Sequence, residues 1–295
     1  MVAATIRAAV PYVLAAQGGV LAERSGIVNV GLEGMMLSGA FASIAATLAS
    51  GSIAVGLLTA AAVGGVVGLI HVLVIERLRV DGIVSGLAIN LAAAGGTRVL
   101  LRALYGSSSN SPPLPADPAE THVAGVRWIF HALTAPTTVL AVVASFGLAW
   151  VLTRTRFGLR VRAAGESGRG LAAAGVSFFR TRALATTVSG MLAALGGAAL
   201  ALEQRQFQSG MTGGRGFIAL AAVVLATWRP LPALVACAGF AVLDACAVVL
   251  QGEARSLEAL FQALPYLATL VALALLARRA RGSGAPRALG VEEET

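Results

Sequence analysis

Asn29 and Glu33 stand four residues apart in the stretch ERSGIVNVGLEGMM (23–36), where polar side chains and three glycines interrupt an otherwise apolar run. If that stretch is helical, the two share one face. A carboxylate inside a membrane segment is costly, and it normally faces a bundle interior or a wet cavity. Glu33 therefore has two readings. It lines or braces a polar path, or it forms a structural pair, for instance with Arg24. A second polar stretch is DGIVSGLAIN (81–90). Asp81 stands where an N-cap would satisfy free backbone N–H groups. Asn90, two to three turns further on, either contacts a polar solute or bridges two helices. Asp244 is an isolated acid in an apolar helix and a candidate lining or pairing residue. GMTGGRG (210–216) precedes a short apolar segment and reads as a hinge between helices. A phosphate cradle of the P-loop kind needs G-x-x-x-x-G-K-[ST], and all 22 basic residues of the chain are arginine. No Ser/His/Asp set, paired catalytic carboxylates or metal motif emerges, since His71, His122 and His131 are scattered. Cys237 and Cys246, about 14 Å apart along one helix, are too far apart for a disulfide and read as small apolar fillers. No cofactor is called for.

The elements that must position these residues follow from composition. Apolar residues make up 57% of the 295, Gly adds 35 more, and charged residues are only 12%, against about 25% in soluble domains. Such a chain cannot make a polar skin, which excludes a soluble enzyme. The net charge of +8 gathers between apolar spans and at the C-terminus, not on a nucleic-acid-binding face. The expected fold is an all-α polytopic membrane protein with about eight to nine transmembrane helices. Candidate spans are 4–22, 27–50, 53–75, 83–103, 134–153, 183–202, 216–228, 231–250 and 264–279. Segment 216–228 is too short to span alone and reads as a half-helix. The N-terminal run reads as a retained span, because Pro11 interrupts it and a second apolar run follows.

Arginines at 77 and 79, at seven positions within 154–182, and at 278, 279, 281 and 287 place those segments in the cytoplasm. The Ser/Pro-rich loop 104–133 then faces outward. Nine alternating spans satisfy all these anchors, with the N-terminus outside. The domain expectation is a transmembrane domain over 1–281, including a basic cytoplasmic loop 154–182, followed by a disordered cytoplasmic tail 282–295. A faint self-similarity joins 11–46 to 186–227: an apolar helix with Gly-Gly, a polar break with glycine, then another apolar helix. By this topology the copies run oppositely, as an inverted repeat with broken helices. The middle of the basic loop, 163–174, can form a short helix across the membrane face. It either docks a partner or lies on anionic lipid.

ERSGIVNVGLEGMMLSGAF, DGIVSGLAINL, GLRVRAAGES with GLAAAGVS, and MTGGRGFIALAAVVLATWRPLPAL, in that order, resemble the permease subunits of ABC importers. The group is the branched-chain amino acid, ribose and nucleoside permeases, nearest the nucleoside and simple-sugar branch. Where that family often has Lys-Trp-Asn-Pro, this chain has Thr227-Trp228-Arg229-Pro230. The resemblance implies a multi-pass protein of the bacterial plasma (inner) membrane that forms part of the translocation pathway for a nucleoside or simple sugar. It implies separate ATP-binding cassette subunits, a second permease subunit and an extracytoplasmic solute-binding protein as partners. It also implies a coupling helix at Ala163, Ala164, Gly165, Glu166, Ser167, Leu171 and Ala174. The pathway-lining candidates are Asn29, Glu33, Asn90 and Asp244. The alternative expectation is a stand-alone secondary transporter coupled to ions through Glu33 or Asp244.

Overall fold

The computed structural model describes residues 2–115, 135–251 and 285–290. Among them are ten helices and no named strand. They are α1 (Val2–Arg24), α2 (Leu32–Ser50), α3 (Ile53–Leu78), α4 (Gly82–Tyr105), α5 (Pro136–Arg154), α6 (Arg156–Glu166), α7 (Gly168–Ala173), α8 (Phe178–Glu203), α9 (Arg215–Leu225) and α10 (Pro230–Gln251). The protein is an all-α polytopic membrane protein. Five helices, α2, α3, α4, α5 and α8, are long and apolar enough to cross a membrane. The expected span 264–279 and most of the outward loop lie outside the described residues.

Burial sorts the spans into an inner and an outer set. In α2 and α8, 67% of the most apolar window is buried, against 22–28% in α3, α4 and α5. The outer helices turn Leu58, Leu91 and Val143 outward, as lipid-facing surfaces should. The centre belongs to α1, whose residues from Val10 to Ala22 are all buried. Around it pack α8, α10 and α9. Small residues make this possible, because helices in lipid associate by close van der Waals approach. On α8, Gly190, Ala193, Ala194 and Gly197 recur at helical spacing on its buried side. Gly18 sits on Ser189 and Gly196 on Pro11, so α1 and α8 run antiparallel.

Gly197 shows how tight the fit is. A Cβ there would lie 1.8 Å from the Met36 carbonyl oxygen. Gly197→Ala is expected to destabilise the protein by about 1–3 kcal/mol through overpacking. Gly96→Ala, on the open face of α4 with nothing within 4 Å, should be neutral or slightly stabilising, because glycine weakens a helix interior. The check is the temperature at which the buried Cys237 becomes reactive to a thiol dye in detergent.

The half-helix ends earlier than its apolar run suggests. α9 stops at Leu225, and Thr227 and Trp228 both adopt left-handed backbone (φ 51° and 54°), turning the chain sharply into α10. Two consecutive bulky residues in that region are strained. Arg24 holds them in place, Nε donating to the Trp228 carbonyl at 2.7 Å and Nη2 to that of Thr227 at 3.4 Å. The Trp228 indole donates to Glu23. The basic loop also differs from the expected single helix over 163–174. It forms two, because Thr155 caps α6 through Gly158 N–H, and Ser167 ends α6 and caps α7 through Gly170 N–H. Residues 285–290, in the segment expected as a disordered tail, form turns against α6. Ala288 N–H donates to the Gly165 carbonyl at 2.8 Å, and the Ala288 side chain is buried.

Candidate functional site: a clamped break joined to a half-helix

Residues 25–31 between α1 and α2 are not helical. Their backbone groups must find partners at a depth where water is scarce, or the segment would be too costly to keep there. Side chains from three other helices supply them. Arg182 on α8 donates through Nε to the Ser25 carbonyl at 3.0 Å. His71 on α3 places Nε2 3.1 Å from the Val28 carbonyl. Asn90 on α4 donates to the Val30 carbonyl at 3.0 Å, and its Oδ1 accepts from Gly34 N–H at 2.7 Å. Each tie is set by a second contact. A carbonyl can only accept, so in the neutral ring His71 Nε2 carries the proton and Nδ1 accepts from the Ser85 hydroxyl at 2.9 Å. Arg182 Nη1 donates to Glu76 at 2.7 Å, and its guanidinium stacks 4.0 Å from the Phe178 ring centroid.

The DGIVSGLAIN motif becomes legible as one working helix face. Asp81 Oδ1 caps α4 by accepting from Ile83 and Val84 N–H at 2.8 and 3.2 Å, as the sequence predicts. Ser85, Gly86 and Asn90 then meet the break or its partners. A Cβ on Gly86 would lie 2.7 Å from Gly31 N, so only glycine lets α4 cross here.

Asn29 and Glu33 do not share a helix face, because the helix begins only at Leu32. Asn29 is fully buried and donates to the Ser189 hydroxyl at 3.0 Å. Glu33, in the first turn of α2, accepts from Gly214 N–H at 2.8 Å and Gly216 N–H at 2.7 Å. Its carboxylate thus caps the start of α9 as well as lying at the start of its own helix. α9 has 11 residues, about 16 Å, or roughly half the hydrocarbon thickness. Two helix N-termini therefore converge on one acid. The Gly-rich loop is no free hinge: its N–H groups hold this carboxylate.

Asp244 belongs to the same neighbourhood. Arg215 at the start of α9 pairs with it at 3.2 Å, and the Tyr12 hydroxyl donates to the same oxygen at 3.3 Å. Tyr12 lies midway along the apolar run 4–22, so this polar group sits near the middle of the bundle. The pair is partly exposed, at 25% for Arg215 and 19% for Asp244. A partly exposed ion pair at that depth belongs beside water or protein, not lipid.

At the end of the bundle that carries the arginines of the basic loop, α6 lies against the end of α1. A Cβ on Gly165 would come within 2.3 Å of the Arg24 carbonyl. Ala164 and Gly165 are buried, whereas Glu166, Ser167 and Ala174 are exposed and Ala163 half-buried; Leu171 is buried. One short path therefore connects α6, the end of α1, the break and the turn at Trp228.

Sequence reasoning missed His71, Glu76, Ser85, Arg182, Arg215 and Tyr12 as members of these sites. His71 reads as one of three scattered histidines, and Arg182 as one positive charge in a topology count. The usable signal is a lone polar residue within an apolar helix, the rule that did single out Asp244 and Asn90.

The sequence pattern that describes the permease component of branched-chain amino acid transport systems matches residues 1–276. Similar proteins include the guanosine ABC transporter permease protein NupQ of Bacillus subtilis, 34% identical over 99% of this chain and 95% of that protein. The nucleoside ABC transporter permease protein NupC of Lactococcus lactis is also 34% identical, over 95% and 92%. A putative glucose ABC transporter permease protein, TsgC13 of Haloferax volcanii, is 32% identical over 86% and 79%. No solved structure matches the chain.

Proposed function

Because this chain belongs to the branched-chain amino acid transport system permease family and is a multi-pass permease subunit of an ABC importer, we propose that its solute is a nucleoside. The observation that carries this reading is the near full-length similarity to two permeases of nucleoside transporters. A simple sugar is the second reading, supported by the Haloferax relative. ATP hydrolysis belongs to separate subunits, and the chain, without a single lysine, has no P-loop lysine of its own. A substrate-binding protein delivers the solute, and a second permease, different from this one, completes the pathway.

The coupling route runs through α6 and α7. ATP-driven closure of the motor subunits pushes on the exposed edge formed by Glu166, Ser167 and Ala174. Gly165, seated on the end of α1, passes that motion to residues 25–31. The clamped break moves as a block with the ends of α3, α4 and α8, and Glu33 carries the displacement to the start of α9. The Arg215–Asp244–Tyr12 group faces the solute path and gives it a few polar contacts. Such a path must bind weakly enough to release what it carries.

In proteoliposomes holding the whole importer, uptake of labelled guanosine should require ATP, and unlabelled nucleosides should compete for it while glucose does not. Competition by glucose alone would replace the nucleoside with a sugar. Uptake by this chain alone under a proton or sodium gradient would establish the secondary-carrier alternative through Glu33 or Asp244. A second measurement tests the route. Gly165→Val, which inserts bulk where the Arg24 carbonyl already sits, should leave nucleotide hydrolysis running while lowering uptake at least about tenfold, since small misplacements far from a site can cost that much or more.

A further inference from the structure

Between the start of α6 and the start of α8 the chain leaves a groove of about 270 Å³, lined by Phe157, Arg160, Val176, Ser177, Arg180 and Leu184 among others. Its chemistry is divided. Two guanidinium groups, one from α6 and one from α8, share the lining with the apolar side chains of Phe157, Val176 and Leu184. Among the described residues neither Arg160 nor Arg180 has a side-chain ion pair or hydrogen bond. Arg182, Arg24 and Arg77 on this side are engaged, with Glu76, with the Trp228 turn and over the Phe179 ring at 5.0 Å, while Arg154, Arg156 and Arg162 are as open as the groove pair but lie outside its lining. The start of α8, a 26-residue helix capped by Ser177, opens onto the same groove and adds its positive end.

The depth of the groove is fixed by its neighbours. Trp150, 62% exposed, lies one turn before the cytoplasmic end of α5, where interfacial tryptophans sit at headgroup level. Leu184, 57% exposed, lines the groove, and Leu159, next to Arg160 in sequence, is 61% exposed; both continue the lipid-facing surface. A ligand here must place an anion between Arg160 and Arg180 and an apolar tail along Leu184. We propose that the groove binds the phosphate headgroup of an anionic phospholipid of the inner leaflet. Free inorganic phosphate shares the anion chemistry but has no use for the exposed leucines. A protein surface docking here would need to enter between apolar residues at membrane depth.

The test is native mass spectrometry of the detergent-purified importer, with its ATP-binding subunits, titrated with phosphatidylglycerol and with phosphatidylcholine of the same chain length. Phosphatidylglycerol should bind at least about tenfold more tightly than phosphatidylcholine, as two basic contacts near a membrane surface imply. Arg160→Ala/Arg180→Ala should remove that preference. Val176→Trp, which fills the groove and keeps both charges, should remove it as well, and it carries the reading if the double variant fails to assemble. Arg154→Ala/Arg156→Ala, equally basic but outside the lining, should retain it. The proposal is overturned if the control pair loses as much binding as the groove pair, if the two lipids bind equally, or if inorganic phosphate displaces the lipid at equal concentration. It is also overturned if the groove variants shed the ATP-binding subunits while keeping their lipid.

Discussion

Glu33→Ala is expected to reduce uptake to background and to lower the temperature of Cys237 labelling more than any other single change in the first half of the chain. The carboxylate accepts from Gly214 and Gly216 N–H at 2.8 and 2.7 Å. Its loss strands two backbone donors where water is scarce, at about 1–3 kcal/mol each, or roughly 2–6 kcal/mol together. The charge also matters. Each helix N-terminus carries about half a positive charge, and α2 and α9 both aim theirs at this one acid. Removing it takes the counter-charge away from the start of α9. Glu33→Gln keeps one acceptor oxygen and should fall between wild type and alanine in both measurements. Glu33→Asp, shorter by one methylene, cannot reach both donors and should resemble Gln. An unchanged labelling temperature in the alanine variant would mean that the loop 210–216 is held by something else. A lowered temperature with normal uptake would separate the anchor from the transport cycle.

Arg182→Met should be nearly as damaging, by about 3–5 kcal/mol, because it leaves Glu76 without its cation in a site where that carboxylate is only 16% exposed. The variant also frees the Ser25 carbonyl, so the break loses one of its three side-chain ties. The two effects separate in a double variant. Arg182→Met/Glu76→Leu removes the stranded charge and should recover most of the labelling temperature. Uptake should stay low, since the carbonyl is still unheld. Full recovery of uptake would show that the ion pair, not the tie to the break, is what transport requires. Arg182→Lys should not rescue, because a single ammonium cannot serve the carbonyl, the carboxylate and the Phe178 ring at once.

Much of the architecture is legible in the residues. Hydropathy places eight of the nine expected spans within a few residues of the helices described, since apolar runs of this length have no other stable use. Glycine and polar residues mark a break around Gly26, although the expected span starts at 27, five residues before α2 begins, and the shortness of the run before Arg229 marks the half-helix. What one sequence could not show is who holds whom. Asn29 and Ser189 are 160 residues apart, and Glu33 and Gly214 are 181 apart. No local periodicity links them. The readings of Glu33 and Asn90 stay open at that level because lining a path and bracing a backbone ask for the same polar residue at the same depth. In the structure Glu33 accepts from Gly214 and Gly216 N–H, and Asn90 bonds the Val30 carbonyl and Gly34 N–H. Helix limits in the basic loop escape notice for a smaller reason: Ser167 both ends one helix and starts another, which composition alone does not reveal.

The three ties on the break all end on main-chain oxygens, of Ser25, Val28 and Val30. Every amino acid offers that oxygen, so the half-buried side chains of Val28 and Val30 can drift over generations without loosening the grip, whereas Ser25, buried with its hydroxyl on the Ala22 carbonyl, and the donors Arg182, His71 and Asn90 cannot. Ancestry should therefore leave its record the wrong way round here. The two valines diversify, and their distant holders stay fixed. Laboratory evolution toward new solutes would do best to randomise Val28 and Val30 and leave the holders untouched.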